Sequence, residues 1–154
     1  MMNLSCDVIK ALQGRTLATA ESCTGGGIGA ALTSVAGSSA VYKGGVISYT
    51  NAVKSKLLGV DPQLLEKEGA VSAPVAEAMA AGVRSALSAD VAVSVTGLAG
   101  PSGDEFGNPV GTVYIGYCDA VQLFAKRFQF EGDREAVRQQ AVAEVLKIIL
   151  NQAI

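Results

Sequence analysis

The chain has 154 residues, 49% of them apolar and 17% charged, which fits one α/β domain over residues 1–154 and excludes a disordered chain. It contains no histidine, so a Ser-His-Asp or Cys-His catalytic pair and any His-ligated metal site are excluded. Twelve Lys+Arg against fourteen Asp+Glu give a net charge of −2, with no basic run long enough to follow a nucleic-acid backbone, so nucleic acid is not an expected partner.

Leu4, Val8, Ile9 and Leu12 recur at helical spacing before Gly14, predicting a short opening helix closed by that glycine. Asp7 and Lys10 fall where a signal peptide would need its apolar region, so nothing marks this end for export. Residues 15–20 read as a strand that runs into a glycine-rich turn, and Ile28, Ala31, Leu32 and Val35 then predict a second helix stopping near Gly37. The charge-free stretch 22–42 is interrupted by Gly, Ser and Thr too often for a membrane-spanning helix, so no membrane is expected as a partner.

Residues 46–49 read as a second strand, and Asn51 is the expected N-cap of a helix carrying Val53, Leu57 and Leu58 and ending at Gly59. Asp61-Pro62 starts a short helical turn. Ser72 as capping hydroxyl and Pro74 as early proline precede a long Ala-rich helix over 75–87. The apolar run 91–95 reads as a central strand covered on both faces. A loop rich in turn formers follows from Thr96 to Pro109, then a strand over 111–117 that pairs as a hairpin with 121–130 across Asp119-Ala120. A final helix begins near Asp133 and buries Val137, Ala141, Val145, Ile148 and Ile149. The mixed connections predict a single three-layer α/β/α sandwich with a mixed β-sheet.

Three turns follow predicted strands, at residues 22–27, 49–51 and 96–103. In open α/β sheets ligands collect beyond the carboxyl ends of strands, so all three turns are expected to face one cleft. Gly25-x-Gly27-x-x-Ala30 imitates a dinucleotide fingerprint, but Gly44 and Gly45 stand where the ribose-binding acid belongs, and there is no Walker loop. Ser22 is either an N-cap or a nucleophile on a sharp strand-to-helix turn, with the amides of Cys23, Thr24, Gly25 and Gly26 free for an oxyanion. Lys54, near the third position of the helix capped by Asn51, supplies a base, since the helix dipole and partial burial both favour the neutral amine. Tyr49 is a proton relay between the two or a strand aromatic with a wet hydroxyl. Cys23 stays a rival nucleophile, because a thiol is intrinsically the better one, although neighbouring side chains point opposite ways. Glu21 is a cleft acid or an ion-pair partner. Arg134 and Arg138, four apart, form a cationic face for phosphate or carboxylate, or a solvated face paired with Glu131 or Glu135. Asp104 and Glu105 read as loop surface and not as a metal site. The three cysteines, Cys6, Cys23 and Cys118, lack C-x-x-C spacing and point to a reducing cytoplasm rather than to disulfides or zinc.

Six motifs in order, T-A-E-S-C-T-G-G at 19–26, Y-T-N-A-V-K at 49–54, G-A-V-S at 69–72, T-G-L-A-G-P-S-G at 96–103, P-V-G-T-V at 109–113 and G-D-R at 132–134 with Arg138, closely resemble the CinA C-terminal domain family. The resemblance covers essentially the whole chain, and it is the conjunction of motifs that is specific. It implies a nicotinamide mononucleotide deamidase that hydrolyses the nucleotide's carboxamide to the acid and ammonia, without metal or cofactor, in pyridine nucleotide salvage. It further implies a Ser-Tyr-Lys site, with Ser22 as nucleophile, Tyr49 as relay and Lys54 as general base. Substrate contacts are expected at Glu21, Cys23, Thr24, Gly25, Gly26, Asn51, Thr96, Gly97, Arg134 and Arg138. The family commonly forms homodimers, so a homodimer is the expected assembly. A non-catalytic nucleotide-binding module is the alternative. Larger CinA proteins carry an N-terminal domain associated with pyrophosphatase activity; only residues 1–14 precede the first predicted strand here, so that activity is expected to be missing. Many members have a lysine where Asn108 stands, which removes any charge contact from that loop.

Overall fold

The structure, a computed structural model, describes residues 1–153. Its elements run α1 (Met2–Ala11), β1 (Leu17–Glu21), α2 (Gly27–Thr33), β2 (Tyr42–Ile47), α3 (Asn51–Leu58), α4 (Pro62–Glu68), α5 (Ala73–Leu87), β3 (Val91–Gly97), β4 (Thr112–Cys118), β5 (Leu123–Gln129) and α6 (Arg134–Gln152). A single 3₁₀ turn, Ser38–Ala40, precedes β2.

The strands form one sheet of order β2-β1-β3-β4-β5. β1 is parallel to both β2 and β3, while β4 and β5 are antiparallel additions. The sheet is therefore mixed, as the connection types require. One face is covered by α1, α2 and α6, whose Val8, Leu12, Ile28, Leu32, Val145 and Ile149 pack with the sheet in the larger core. The other face is covered by α3, α4 and α5 through Leu58, Leu65, Val75, Met79 and Val83. β1 and β3, covered by both helical layers, are buried along almost their whole length, the pattern of parallel strands sandwiched on both faces. α5 lies so close on its neighbours that a β-carbon at Gly82 would collide with the Leu58 carbonyl.

Three expectations shift. β2 starts at Tyr42 and not at Val46, because Gly44 and Gly45 join the strand and let it run tight against β1, where Thr19 occupies the space a Gly45 side chain would need. The cap of α3 is Thr50, whose hydroxyl accepts from the Val53 amide, so Asn51 is the first helical residue. Ser72 sits at the N-cap of α5, yet its hydroxyl donates to the Gly69 carbonyl and caps nothing. Asp61 and Asp133 do cap, accepting from the Gln63 and Ala136 amides. No helix among the described residues is long and apolar enough to cross a membrane.

β1 leads through α2 to β2 on one side, while the chain returns through α3, α4 and α5 on the opposite layer to β3 on the other side. Neighbouring strands β1 and β3 thus send their chains in opposite directions, which opens a crevice at their carboxyl ends. Because β1, β2 and β3 are parallel, the turns after all three meet there.

Candidate active site

The turn after β1 is held from two sides. Glu21 ends the strand, is 2% exposed, and accepts from the Gly26 amide at 3.1 Å, the Ile28 amide at 2.9 Å, the Gly29 amide at 3.0 Å and the Thr24 hydroxyl at 2.6 Å. Its carboxylate does for α2 what a capping residue does elsewhere, satisfying amides that have no intrahelical acceptor. Gly25 and Gly26 bend the chain through φ +58° and +104°, a region that other residues adopt only with strain. A β-carbon on Gly26 would also stand 3.1 Å from Ile47.

Ser22 emerges from this turn 7% exposed. Its hydroxyl oxygen lies 3.1 Å from Lys54 Nζ, which also donates to the Ser48 carbonyl at 2.9 Å. Lys54 is the fourth residue of α3 and is 1% exposed. No carboxylate forms an ion pair with it among the described residues. Burial lowers its pKa below the ordinary lysine value, with the Cys23 sulfur opposing it. The arrangement can hold an uncharged amine with one proton on Ser48 and its lone pair directed at the serine.

Cys23 also borders the crevice, 6% exposed. Burial pushes its thiol up to about 11, so it carries almost no thiolate near neutral pH and is a weak nucleophile there.

The crevice is a cleft of about 280 Å³. It brings together Ser22, Cys23, Tyr49, Lys54, Thr96 and Arg134, with Asn51 and Gly97 on its walls. Thr96 donates its hydroxyl to the Ala70 carbonyl at 2.9 Å, tying the end of β3 to the 69–72 loop. Tyr49 is 59% exposed, and its hydroxyl accepts from Arg134 Nη2 at 3.0 Å. Among the described residues it hydrogen-bonds neither Ser22 nor Lys54, so it stands at the cleft mouth and not between amine and alcohol. The serine and the lysine touch without it.

Five expected substrate contacts place no side chain in the cleft. Glu21, Thr24, Gly25 and Gly26 build the turn from behind, because the carboxylate is consumed by α2 amides and the Thr24 hydroxyl by that carboxylate. Arg138 turns away from the cleft, its Nε donating to the Cys23 carbonyl at 3.0 Å and its Nη2 to the Thr24 carbonyl at 3.2 Å. The expected oxyanion amides narrow as well. Gly25 donates to the Ser22 carbonyl and Gly26 to Glu21, which leaves Cys23 and Thr24 with amides that bond no acceptor on another described residue.

Sequence reading missed the Ser48 carbonyl, since a backbone acceptor has no letter of its own. It also missed Ala70 and Val71 as cleft walls, although the 69–72 motif marked that segment. A larger cavity of about 620 Å³ adjoins the cleft through Asn51, Ala70, Val71 and Leu98 and carries Glu66, Glu105 and Phe106.

The family model described as CinA C-terminal domain matches residues 2–153. A nicotinamide-nucleotide amidohydrolase PncC of Pseudomonas putida is 50% identical over 132 residues, covering 86% of this chain and 82% of that protein. A CinA-like protein of Geobacter sp. (strain M21) is 53% identical over 125 residues, 81% of this chain but 30% of that protein. The chain thus spans about a third of the length of the CinA-like relatives it matches. In structure, the competence damage-inducible protein A (ComA) of Klebsiella pneumoniae superposes with a TM-score of 0.96 at 37% identity, covering 99% of this chain and 96% of that one.

Proposed function

The chain belongs to the CinA C-terminal domain family, and on that premise we propose that it is a nicotinamide-nucleotide amidohydrolase, releasing ammonia from the carboxamide of nicotinamide mononucleotide and leaving nicotinate mononucleotide. The observation that carries this reading is the 3.1 Å approach of a buried lysine amine to a buried serine hydroxyl, in a chain without histidine. The P. putida relative, matched over most of both chains, supports the choice of substrate class.

In this reading Ser22 Oγ attacks the carboxamide carbon as its proton passes to Lys54 Nζ. The carbonyl oxygen takes the negative charge and is held by the Cys23 and Thr24 amides. The lysine ammonium returns the proton to the departing nitrogen, the C–N bond breaks, and ammonia leaves an acyl-serine. Water then attacks the acyl carbon, giving its proton to Lys54, and the ester C–O bond breaks as Lys54 returns that proton to Ser22 Oγ, which releases the acid and restores the serine and the neutral amine. Because Arg134 donates to the Tyr49 oxygen, the phenol proton is left to point into the cleft, where it steadies the amide or its leaving nitrogen. The cationic Arg134 end of the cleft suits the nucleotide phosphate, and the acids of the adjoining cavity direct it there.

We further propose one domain over 1–154, a cytoplasmic enzyme and a homodimer; the three free cysteines suit a reducing compartment, and the family resemblance supports the dimer.

The test is ammonia release from nicotinamide mononucleotide by wild type, Ser22→Ala and Lys54→Ala. Loss in both variants, with unfolding temperatures near that of wild type, is expected. Full activity in Ser22→Ala transfers the nucleophile to Cys23. Saturable nucleotide binding with no ammonia from wild type replaces the enzyme with a binding module.

A further inference from the structure

Arg138 is a cation next to the nucleophile's turn that does not line the cleft, and its contacts have a geometric consequence. In a trans peptide the carbonyl of one residue and the amide of the next lie in one plane and point in opposite directions. Arg138 Nε holds the Cys23 carbonyl at 3.0 Å, so it fixes the direction of the Thr24 amide, which belongs to the same peptide plane. The Gly25 amide holds the Ser22 carbonyl at 3.1 Å and in the same way fixes the Cys23 amide. Those are the two amides of the turn that bond no acceptor on another described residue. A second Arg138 bond, Nη2 to the Thr24 carbonyl at 3.2 Å, prevents the guanidinium from swinging away, and no carboxylate competes for it in an ion pair among the described residues.

We infer that Arg138 is a positioning residue, which aims the Thr24 amide at the developing oxyanion by gripping the opposite end of its peptide unit. A charged donor on the carbonyl also polarises that peptide and strengthens its N–H as a donor. Arg138 borders a separate cavity of about 220 Å³ and not the cleft, so the grip comes from outside the substrate's space. The fork is what matters: one planar guanidinium reaches two successive carbonyls, which a lysine ammonium at the end of a flexible stem does less well. The inference rests on the amidase reading above and deepens it.

Two measurements separate the failure of one from the failure of the other. The first is steady-state ammonia release from nicotinamide mononucleotide by wild type, Arg138→Met and Arg138→Lys. The second needs no substrate turnover: the rate at which a fluorophosphonate phosphonylates Ser22, followed by intact mass. In that step Ser22 Oγ forms the bond to phosphorus, fluoride leaves with the P–F bond pair, and the serine proton passes to Lys54. The phosphoryl oxygen occupies the same amides.

Removing a single oxyanion donor costs about 100- to 1,000-fold in kcat. Misaiming one of two should cost roughly 10- to 100-fold. Arg138→Met is therefore expected to lose that factor in kcat and in labelling rate, with KM within about twofold and the pH inflection of Lys54 unmoved. Arg138→Lys is expected to recover part of both. A raised KM at unchanged kcat would make Arg138 a substrate contact and overturn the inference. So would a lower unfolding temperature with kcat and labelling rate intact, which is a merely structural role. If wild type releases no ammonia but Ser22 is labelled, the amidase reading fails and the labelling ratio still decides Arg138. If Ser22 is not labelled either, both are overturned.

Discussion

A lysine that is 1% exposed, with a serine and a carbonyl as neighbours and no carboxylate partner among the described residues, is costly in its charged form and inexpensive in its neutral one. Two pH dependences follow from the lowered pKa. Activity should rise with pH through that lowered pKa and stay high above it, since the neutral amine is the base; the log kcat/KM profile checks this. Stability should move the same way. Between the folded pKa and the ordinary lysine value the unfolded chain binds a proton that the folded chain does not, so stability increases with pH across that window. The increment should vanish in Lys54→Met, measured by denaturant unfolding at a series of pH values. Cys23, with its thiol pushed up to about 11, should resist iodoacetamide at pH 7.5, and Cys23→Ala should keep kcat within a few-fold. Rapid inactivation by alkylation at Cys23 would instead favour the thiol as nucleophile.

A short helix and a strand end depend on a single carboxylate. α2 has seven residues, and its N-cap, Gly26, contributes no side-chain cap, so its first amides rely on Glu21. Glu21→Gln keeps the shape but brings an amide NH₂ against backbone donors, and it should lower stability by about 1–3 kcal/mol, the range for charged hydrogen bonds and for a buried group left unpaired. Thermal unfolding checks the stability, and a parallel fall in kcat is expected because the same turn presents Ser22. At α6 the cap is ordinary: Asp133→Ala removes the bond to the Ala136 amide and should cost about 1 kcal/mol. It should also reduce activity modestly, since Arg134 is the next residue. Gly82→Ala forces α5 off the Leu58 carbonyl and should destabilise by roughly 1–3 kcal/mol.

Over the molecule as a whole, charge is distributed unevenly about one continuous hollow. Arg134 marks the Ser22 cleft, while Glu66 and Glu105 mark the adjoining cavity. A ligand with a phosphate has one favourable direction in which to lie. Arg134→Ala should therefore raise KM for nicotinamide mononucleotide about tenfold or more while changing KM for the uncharged-tail nicotinamide riboside little. Added salt should narrow the gap between the two substrates in wild type, because exposed charges are screened within about 8–10 Å at physiological ionic strength.

The order of helices and strands and the mixed sheet were legible in the residues, because apolar period and turn formers leave few alternatives; the residues offered Lys54 as a base in a chain without histidine, but left Cys23 a rival to Ser22, and it was the family's motifs that implied their pairing. Boundaries failed where a neighbour decided them: the strand expected over 46–49 takes in Gly44 and Gly45 because β1 packs against them, and Thr50 takes the cap from Asn51 by one residue. Function-bearing side chains sorted in the same way. A letter states what a group can do but not what already occupies it, so Glu21 and Arg138 looked like ligand contacts. Only the closing of β1 against α2, and of α6 against the turn, consumed their hydrogen-bonding capacity in backbone groups. The same closure left the amine and the alcohol facing each other with nothing between them.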